Sequence, residues 1–208
     1  MFRARVSALL ALALSLTGCP RTTGTPRDAG FDAPYDPTVG NRFQGPISLD
    51  DQRVAAIDPL SLSAGATPCR APLLARVYQV TDGDTVSVLG VEEVVDLRIR
   101  LIGVDTPEIA HDATPAECFG DEAAAFTSQL QGRVVWLTFD NSCLDPFGRT
   151  LAYVFVGGGA GDFWQRQLLR RGLARQFTDS SDRTFASLFA EDLSTAQAAP
   201  TGLWAVCP

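Results

Sequence analysis

The chain has 208 residues, enough for one well-buried domain with an extension. Its 17 basic side chains are all Arg, there is a single His, and 24 acidic side chains leave a net charge of −7. That balance excludes a broad basic footprint for long-range capture of nucleic acid, so any phosphate must be gripped by a few well-placed Arg.

At the N-terminus, Arg3 and Arg5 precede an almost purely apolar run of Ala, Leu and Val, broken only by Ser7 and Ser15, over residues 6–16. The run has the length of a secretion-signal core and is too short to cross a bilayer as a helix. It ends in Leu16-Thr17-Gly18-Cys19, which resembles a bacterial lipobox. The resemblance implies cleavage before Cys19 and lipid attachment to it. Residues 1–18 are therefore predicted to be a lipoprotein signal peptide, and the mature protein to be exported and held on a membrane. Two Arg leave with the signal, so the balance of −7 becomes −9. Pro20, rather than Asp, follows Cys19, which favours the outer membrane over retention at the inner one. The four remaining Cys, at 69, 118, 143 and 207, are an even set suited to disulfides in an oxidising compartment. No pair has the C-x-x-C spacing of a thiolate metal site, and spacing leaves all three connectivities open.

Residues 19–68 are rich in Pro, Gly, Asp and Thr and read as a tether, although the apolar residues scattered over 47–62 leave open whether that part packs on the domain. Residues 69–208 form the predicted domain. Strands are expected at 73–81 and 85–89 around Asp82-Gly83-Asp84. Over 95–101, Val95, Leu97, Ile99 and Leu101 alternate with Asp96, Arg98 and Arg100, the period of a half-buried strand with both Arg on its other face. Ala123, Phe126 and Leu130 suit a short amphipathic helix over 122–130. Strands follow at 133–139 and 149–156, then helices at 162–171 and 182–198. Three strands, a helix, two strands and two helices describe an α+β domain on a closed or nearly closed five-stranded sheet.

Three segments concentrate acids and Arg. Asp82-Gly83-Asp84-Thr85 alone reads as a hairpin turn. Arg100-Leu101-Ile102-Gly103-Val104-Asp105-Thr106-Pro107-Glu108 places a strand Arg ahead of two acids around a Thr-Pro turn. Asp145-Pro146-Phe147-Gly148-Arg149 is a second turn entering a strand. Together they supply what phosphodiester hydrolysis needs. Asp oxygens suit a hard cation such as Ca²⁺ or Mg²⁺, two Arg can clamp a phosphate, and a spare Glu can take a proton from water.

In this combination the chain resembles the staphylococcal nuclease (thermonuclease) family. The matching order is Asp-Gly-Asp-Thr, Arg-x-x-x-x-Asp-Thr-Pro-Glu and Asp-x-x-Gly-Arg-x-Leu-Ala-Tyr, with Arg171-Gly172-Leu173-Ala174 further on. The resemblance covers about residues 73–204. It implies a five-stranded OB-type β-barrel with three α-helices and hydrolysis of DNA and/or RNA to leave 3′-phosphates. It further implies that Asp84, Asp105 and the main-chain carbonyl of Thr106 hold Ca²⁺, with Asp82 supporting them from behind. Glu108 is then the general base, and Arg100 and Arg149 hold the scissile phosphate. A monomer is expected. In that fold the segments of Cys118 and Cys143 flank the site, implying disulfides Cys118–Cys143 and Cys69–Cys207.

Departures from the family lie around the nucleotide. Phe147 replaces a Tyr and Pro146 a Lys, and Arg175-Gln176-Phe177-Thr178-Asp179 lacks the two stacking Tyr found after Gly-Leu-Ala. Trp136 and Trp164 are expected in the core, as is Phe177 with stacking on a base as its alternative, Arg98 to pair with surface acids, and His111 to be a loop residue. The alternative is an OB-fold module that binds nucleic acid with little or no catalysis.

Overall fold

The computed structural model describes residue 47 and residues 49–178 and 182–208; Cys19, the signal segment and the first part of the tether lie outside the described residues. In chain order the elements are α1 (Asp51–Ala55), β1 (Leu73–Val80), β2 (Thr85–Gly90), β3 (Asp96–Leu101), β4 (Val104–Asp105) and α2 (Gly120–Thr127). Then come β5 (Val134–Thr138), β6 (Thr150–Phe155), α3 (Trp164–Arg170), β7 (Arg175–Gln176), α4 (Ala186–Ala198) and α5 (Leu203–Val206).

Five strands close into a barrel in the order β1-β2-β3-β6-β5. All pairings are antiparallel except β3 with β6, which run parallel with Ile99 beside Thr150 and Leu101 beside Ala152. The alternation on β3 holds: Ile99 and Leu101 are buried inside, while Arg98 and Arg100 take the other face. Arg98 makes no ion pair among the described residues. β5 is buried at every position, because its outer face is covered as well. This is the five-stranded α+β barrel of OB type that the sequence implies, and α2, α3 and α4 are its three expected helices. α1 and α5 are additional single turns, too short to show a helical period.

The cover on β5 comes from the later part of the tether, whose packing the sequence left open. Asp50 caps α1 by accepting from the Gln52 and Arg53 amides. Val54 is buried, and its carbonyl accepts from Trp136 Nε1 at 2.9 Å. Asp51 pairs with Arg76 and Arg133 at 3.2 and 3.3 Å. Further along, the Gly65 amide donates to the Phe139 carbonyl at 2.9 Å and the Cys69 amide to the Asp140 carbonyl at 2.7 Å.

That course corrects the disulfide expectation. The bridges are Cys69–Cys143 and Cys118–Cys207, not Cys118–Cys143 and Cys69–Cys207. Because the strap lies along β5, Cys69 arrives beside the loop after that strand, where Cys143 sits. The C-terminal turn is held separately: the Leu203 amide donates to the Gly172 carbonyl at 2.8 Å, which brings Cys207 to Cys118 ahead of α2.

The helices anchor the barrel end that carries the acids. Trp164 is fully buried and stacks on Phe126, with ring centroids 4.7 Å apart. Its Nε1 donates to the Thr127 hydroxyl at 3.3 Å, and that hydroxyl donates to the Gly83 carbonyl at 2.7 Å. α3 and α4 are joined through Asp192, which is fully buried between Arg166, at 2.7 and 3.0 Å, and Arg170.

Candidate active site

The β1–β2 turn delivers the first acids. The Asp82 carboxylate accepts from the Asp84 amide at 3.0 Å, a local bond that shapes the turn. Gly83 is needed for close approach: a Cβ there would stand 2.7 Å from the Thr106 side chain. Asp84 is nearly enclosed. Its Oδ1 accepts from the Thr85 hydroxyl at 3.1 Å, and its Oδ2 accepts from the Thr106 amide at 3.0 Å and hydroxyl at 3.3 Å.

Arg100 reaches the same carboxylate from β3. Its Nη1 donates to the Leu101 and Val104 carbonyls at 2.8 and 2.7 Å, which fixes the guanidinium plane. Its Nη2 lies 3.2 Å from Asp84 Oδ2 and 2.8 Å from Asp105 Oδ1. Between Arg100 and Asp105 the chain turns at Gly103, whose φ of +77° is left-handed and whose missing Cβ makes room for Phe189. β4 then pairs with β7, setting Asp105 opposite Arg175.

Arg149 enters from the far side. Its Nε donates to Asp145 Oδ2 at 2.6 Å, while Asp145 Oδ1 accepts from the Phe147 and Arg149 amides at 2.9 and 2.8 Å. Arg149 Nη1 donates to the Thr85 hydroxyl at 3.3 Å, and that hydroxyl donates to Asp84. Both Arg therefore converge on Asp84, one directly and one through Thr85.

The electrostatics follow from crowding. Burial pushes the Asp84 carboxyl above its ordinary value, Arg100 opposes this, and Asp82 adds to it. Asp105 is raised by its partial burial, with Arg100 pulling it back and Asp84 and Glu117 reinforcing the rise. Asp145 goes the other way. Burial alone would raise it, but the Arg149 and Phe147 amides and the Arg149 guanidinium together hold it below the ordinary value.

Asp82, Asp84, Arg100, Asp105, Thr106 and Arg149 thus form one bonded network. Glu108 does not join it: its carboxylate is 63% exposed and lies 4.0 Å from His111 Nε2. Its main chain is held by Glu117, whose carboxylate accepts from the Glu108 amide at 3.2 Å. The two aromatic departures are both beside Arg. Phe147 is exposed with the Arg149 guanidinium 5.6 Å from its ring, and Phe177 is 41% exposed, with Arg100 at 5.8 Å. Phe177 is therefore not in the core, whereas Trp136 and Trp164 are. Sequence reasoning gave no role to Thr85, Asp145 or Glu117. Asp145 was visible as the first residue of its motif, whereas Glu117 carried no signal.

A family model described as staphylococcal nuclease homologue matches residues 98–206, more than half of the chain. The chain belongs to the staphylococcal nuclease family. The match begins on β3 and takes in Arg100, Asp105, Glu108 and Arg149, while the strap and the Asp82–Asp84 turn lie ahead of it. Among relatives, a thermonuclease from Staphylococcus intermedius is 36% identical over 130 residues, 62% of this chain and 74% of that protein. A thermonuclease from Staphylococcus hyicus is 40% identical over 101 residues, 48% of this chain and 57% of that protein. The endonuclease Htp3 of Saprolegnia parasitica is 31% identical over 140 residues, covering 57% and 65% respectively.

Proposed function

We propose that this staphylococcal nuclease family member is an exported, lipid-anchored, Ca²⁺-dependent nuclease that hydrolyses DNA and/or RNA to leave 3′-phosphates. The observation that carries this reading is the convergence of Arg100 and Arg149 on the buried Asp84, with Asp105 alongside. The names of the thermonuclease and endonuclease relatives point to the same chemistry.

A hard divalent cation fits the residues present. The donors are oxygens, and the upward pressure on Asp84 and Asp105 marks an acid pair that the single charge of Arg100 does not offset. Among the described residues no three acidic, His or Cys side chains form a ready-made cage. Asp84 and Asp105 would therefore be joined by the Thr106 carbonyl, with Asp82 fixing the turn behind them. When bound, Ca²⁺ supplies charge neutralisation at the phosphate. The chain's own groups do the rest. Arg149, its plane set by Asp145, and Arg100 orient the phosphodiester and offset charge as a fifth oxygen approaches phosphorus. Glu108, exposed beyond its held main chain, accepts the proton of the attacking water.

The test is digestion of DNA and RNA with Ca²⁺ or with EGTA, alongside calorimetric Ca²⁺ titration. Asp84→Asn should weaken Ca²⁺ binding and activity together. Glu108→Gln should leave Ca²⁺ binding intact and cut turnover by about 10²–10⁴-fold. Retention of nucleic acid without cleavage would instead identify a binding module. For the anchor, Cys19→Ser should release soluble protein or block processing, and mass spectrometry finding an unmodified Cys19 in the mature protein would rule the anchor out.

A further inference from the structure

Glu108 sits at the start of a long exposed loop, yet a general base must be placed within tenths of an ångström of its water. The loop's internal bonding is thin, with His111 and Thr114 exchanging amide hydrogen bonds at 3.0 and 2.8 Å. What fixes Glu108 comes from the loop's far end. The Glu108 amide donates to Glu117 Oε2 at 3.2 Å, and the Glu117 amide donates to the Glu108 carbonyl at 2.9 Å. One residue, nine positions on, therefore takes both polar main-chain groups of the base residue.

Two further features lock that grip. The Glu108 carbonyl rests on the first residue of α2, where a Cβ on Gly120 would approach it to 2.1 Å. The Gly120 amide in turn donates to the Glu117 carbonyl at 3.0 Å. The next residue after Glu117 is Cys118, bonded to Cys207. Cys207 closes α5, whose Leu203 is buried and bonded to Gly172, so the clamp is referenced to the packed C-terminal turn.

We propose that Glu117 is a positioning residue for Glu108 and that the Cys118–Cys207 disulfide holds it in register. The proposal rests on Glu108 being the base. Glu117 never meets the substrate; it sets where the Glu108 carboxylate can reach. A glutamine keeps an acceptor oxygen at the same place, whereas alanine removes it.

Turnover, KM, Ca²⁺ affinity and melting temperature of the oxidised protein should be compared across five variants. Glu117→Ala should lower kcat by about 10-fold or more, in line with the cost of misplacing a reacting group, with KM near wild type and any change in Ca²⁺ affinity matched by Glu117→Gln, which removes the same charge. Glu117→Gln should restore kcat to within about threefold. Cys118→Ser with Cys207→Ser should reproduce the kcat loss. In a Glu108→Gln background, Glu117→Ala should cost nothing more, because the group it positions is gone. A wild-type kcat in Glu117→Ala, or an equal further loss in the Glu108→Gln background, overturns the clamp while leaving the base assignment standing. Wild-type turnover in Glu108→Gln overturns the base assignment itself.

Discussion

Arg149 shows how a single side chain is made into a tool. Asp145 spends one carboxylate oxygen on two amides of its own turn and the other on the guanidinium, so the turn and the side chain are fixed by the same group. Replacing Arg149 with Lys should cut turnover severely, by about 10²-fold or more, because an ammonium is a point charge with no planar two-donor face. The same geometry predicts a pH dependence. The Asp145 carboxyl is held below its ordinary value of 3.8, so its contribution to stability is complete above that value and is lost as pH falls through the depressed one. Asp145→Asn should therefore be less stable than wild type at neutral pH and lose less on acidification. Denaturant midpoints for both proteins between pH 7 and pH 2 would show it, and parallel curves would refute it. Gly83 carries a different lesson at this scale. Asp-Gly between strands reads as a hairpin signal, but the glycine answers to a Thr106 side chain 23 residues away, a contact no local pattern encodes.

At the scale of elements, what was legible is what a single face decides. β3 alternates because only one of its faces is buried, and α4 appears because it buries one face, with Phe189 and Ala196, against α3 and β7. β5 hides its period because the strap covers its outer face through Val54 and the Trp136 bond, and the strap in turn looks like tether because its apolar residues are scattered among Pro, Gly and Asp with no sustained period. The disulfide expectation failed for the same reason, since pairing depends on where the strap runs. The Asp192 cluster was equally invisible, because its partners come from two helices, 22 and 26 residues apart in sequence. An aspartate fully buried between two Arg leaves uncompensated charge if removed. Asp192→Ala should destabilise the protein by about 3–5 kcal/mol and loosen α4 from α3. Thermal or denaturant unfolding measures the first, and hydrogen exchange along α4 the second; a variant within about 1 kcal/mol of wild type would show the cluster to be energetically idle.

The whole molecule is acidic, which sets it apart from proteins that find nucleic acid by long-range attraction. Its net charge is −7, or −9 once residues 1–18 are cleaved as proposed, and several Arg are already committed within the fold. Arg166 and Arg170 face Asp192, Arg76 and Arg133 face Asp51, and Arg70 faces Glu93. The Arg gathered at the site are Arg100, Arg149 and Arg175, the last paired across β4 and β7 with Asp105. Each phosphate neutralised contributes about −0.9 to the slope of log affinity against log salt on duplex DNA, and less on single strands. Three contacts at the site then give a slope on the order of −2 to −3. Binding of the slowed Glu108→Gln protein to a fluorescent oligonucleotide, measured in Ca²⁺ from about 50 to 200 mM salt before appreciable cleavage, reads that slope directly. The exposed aromatic face of Phe177 beside Arg100 offers a base a stacking surface, and such stacking should hold up better than the charges as salt rises because it is not screened. Phe177→Ala should accordingly weaken binding by a similar factor at every salt concentration, leaving the slope unchanged. A slope steeper than about −6 would mean that a basic surface outside the site governs capture. In that case the few-contact account of this acidic nuclease would be wrong.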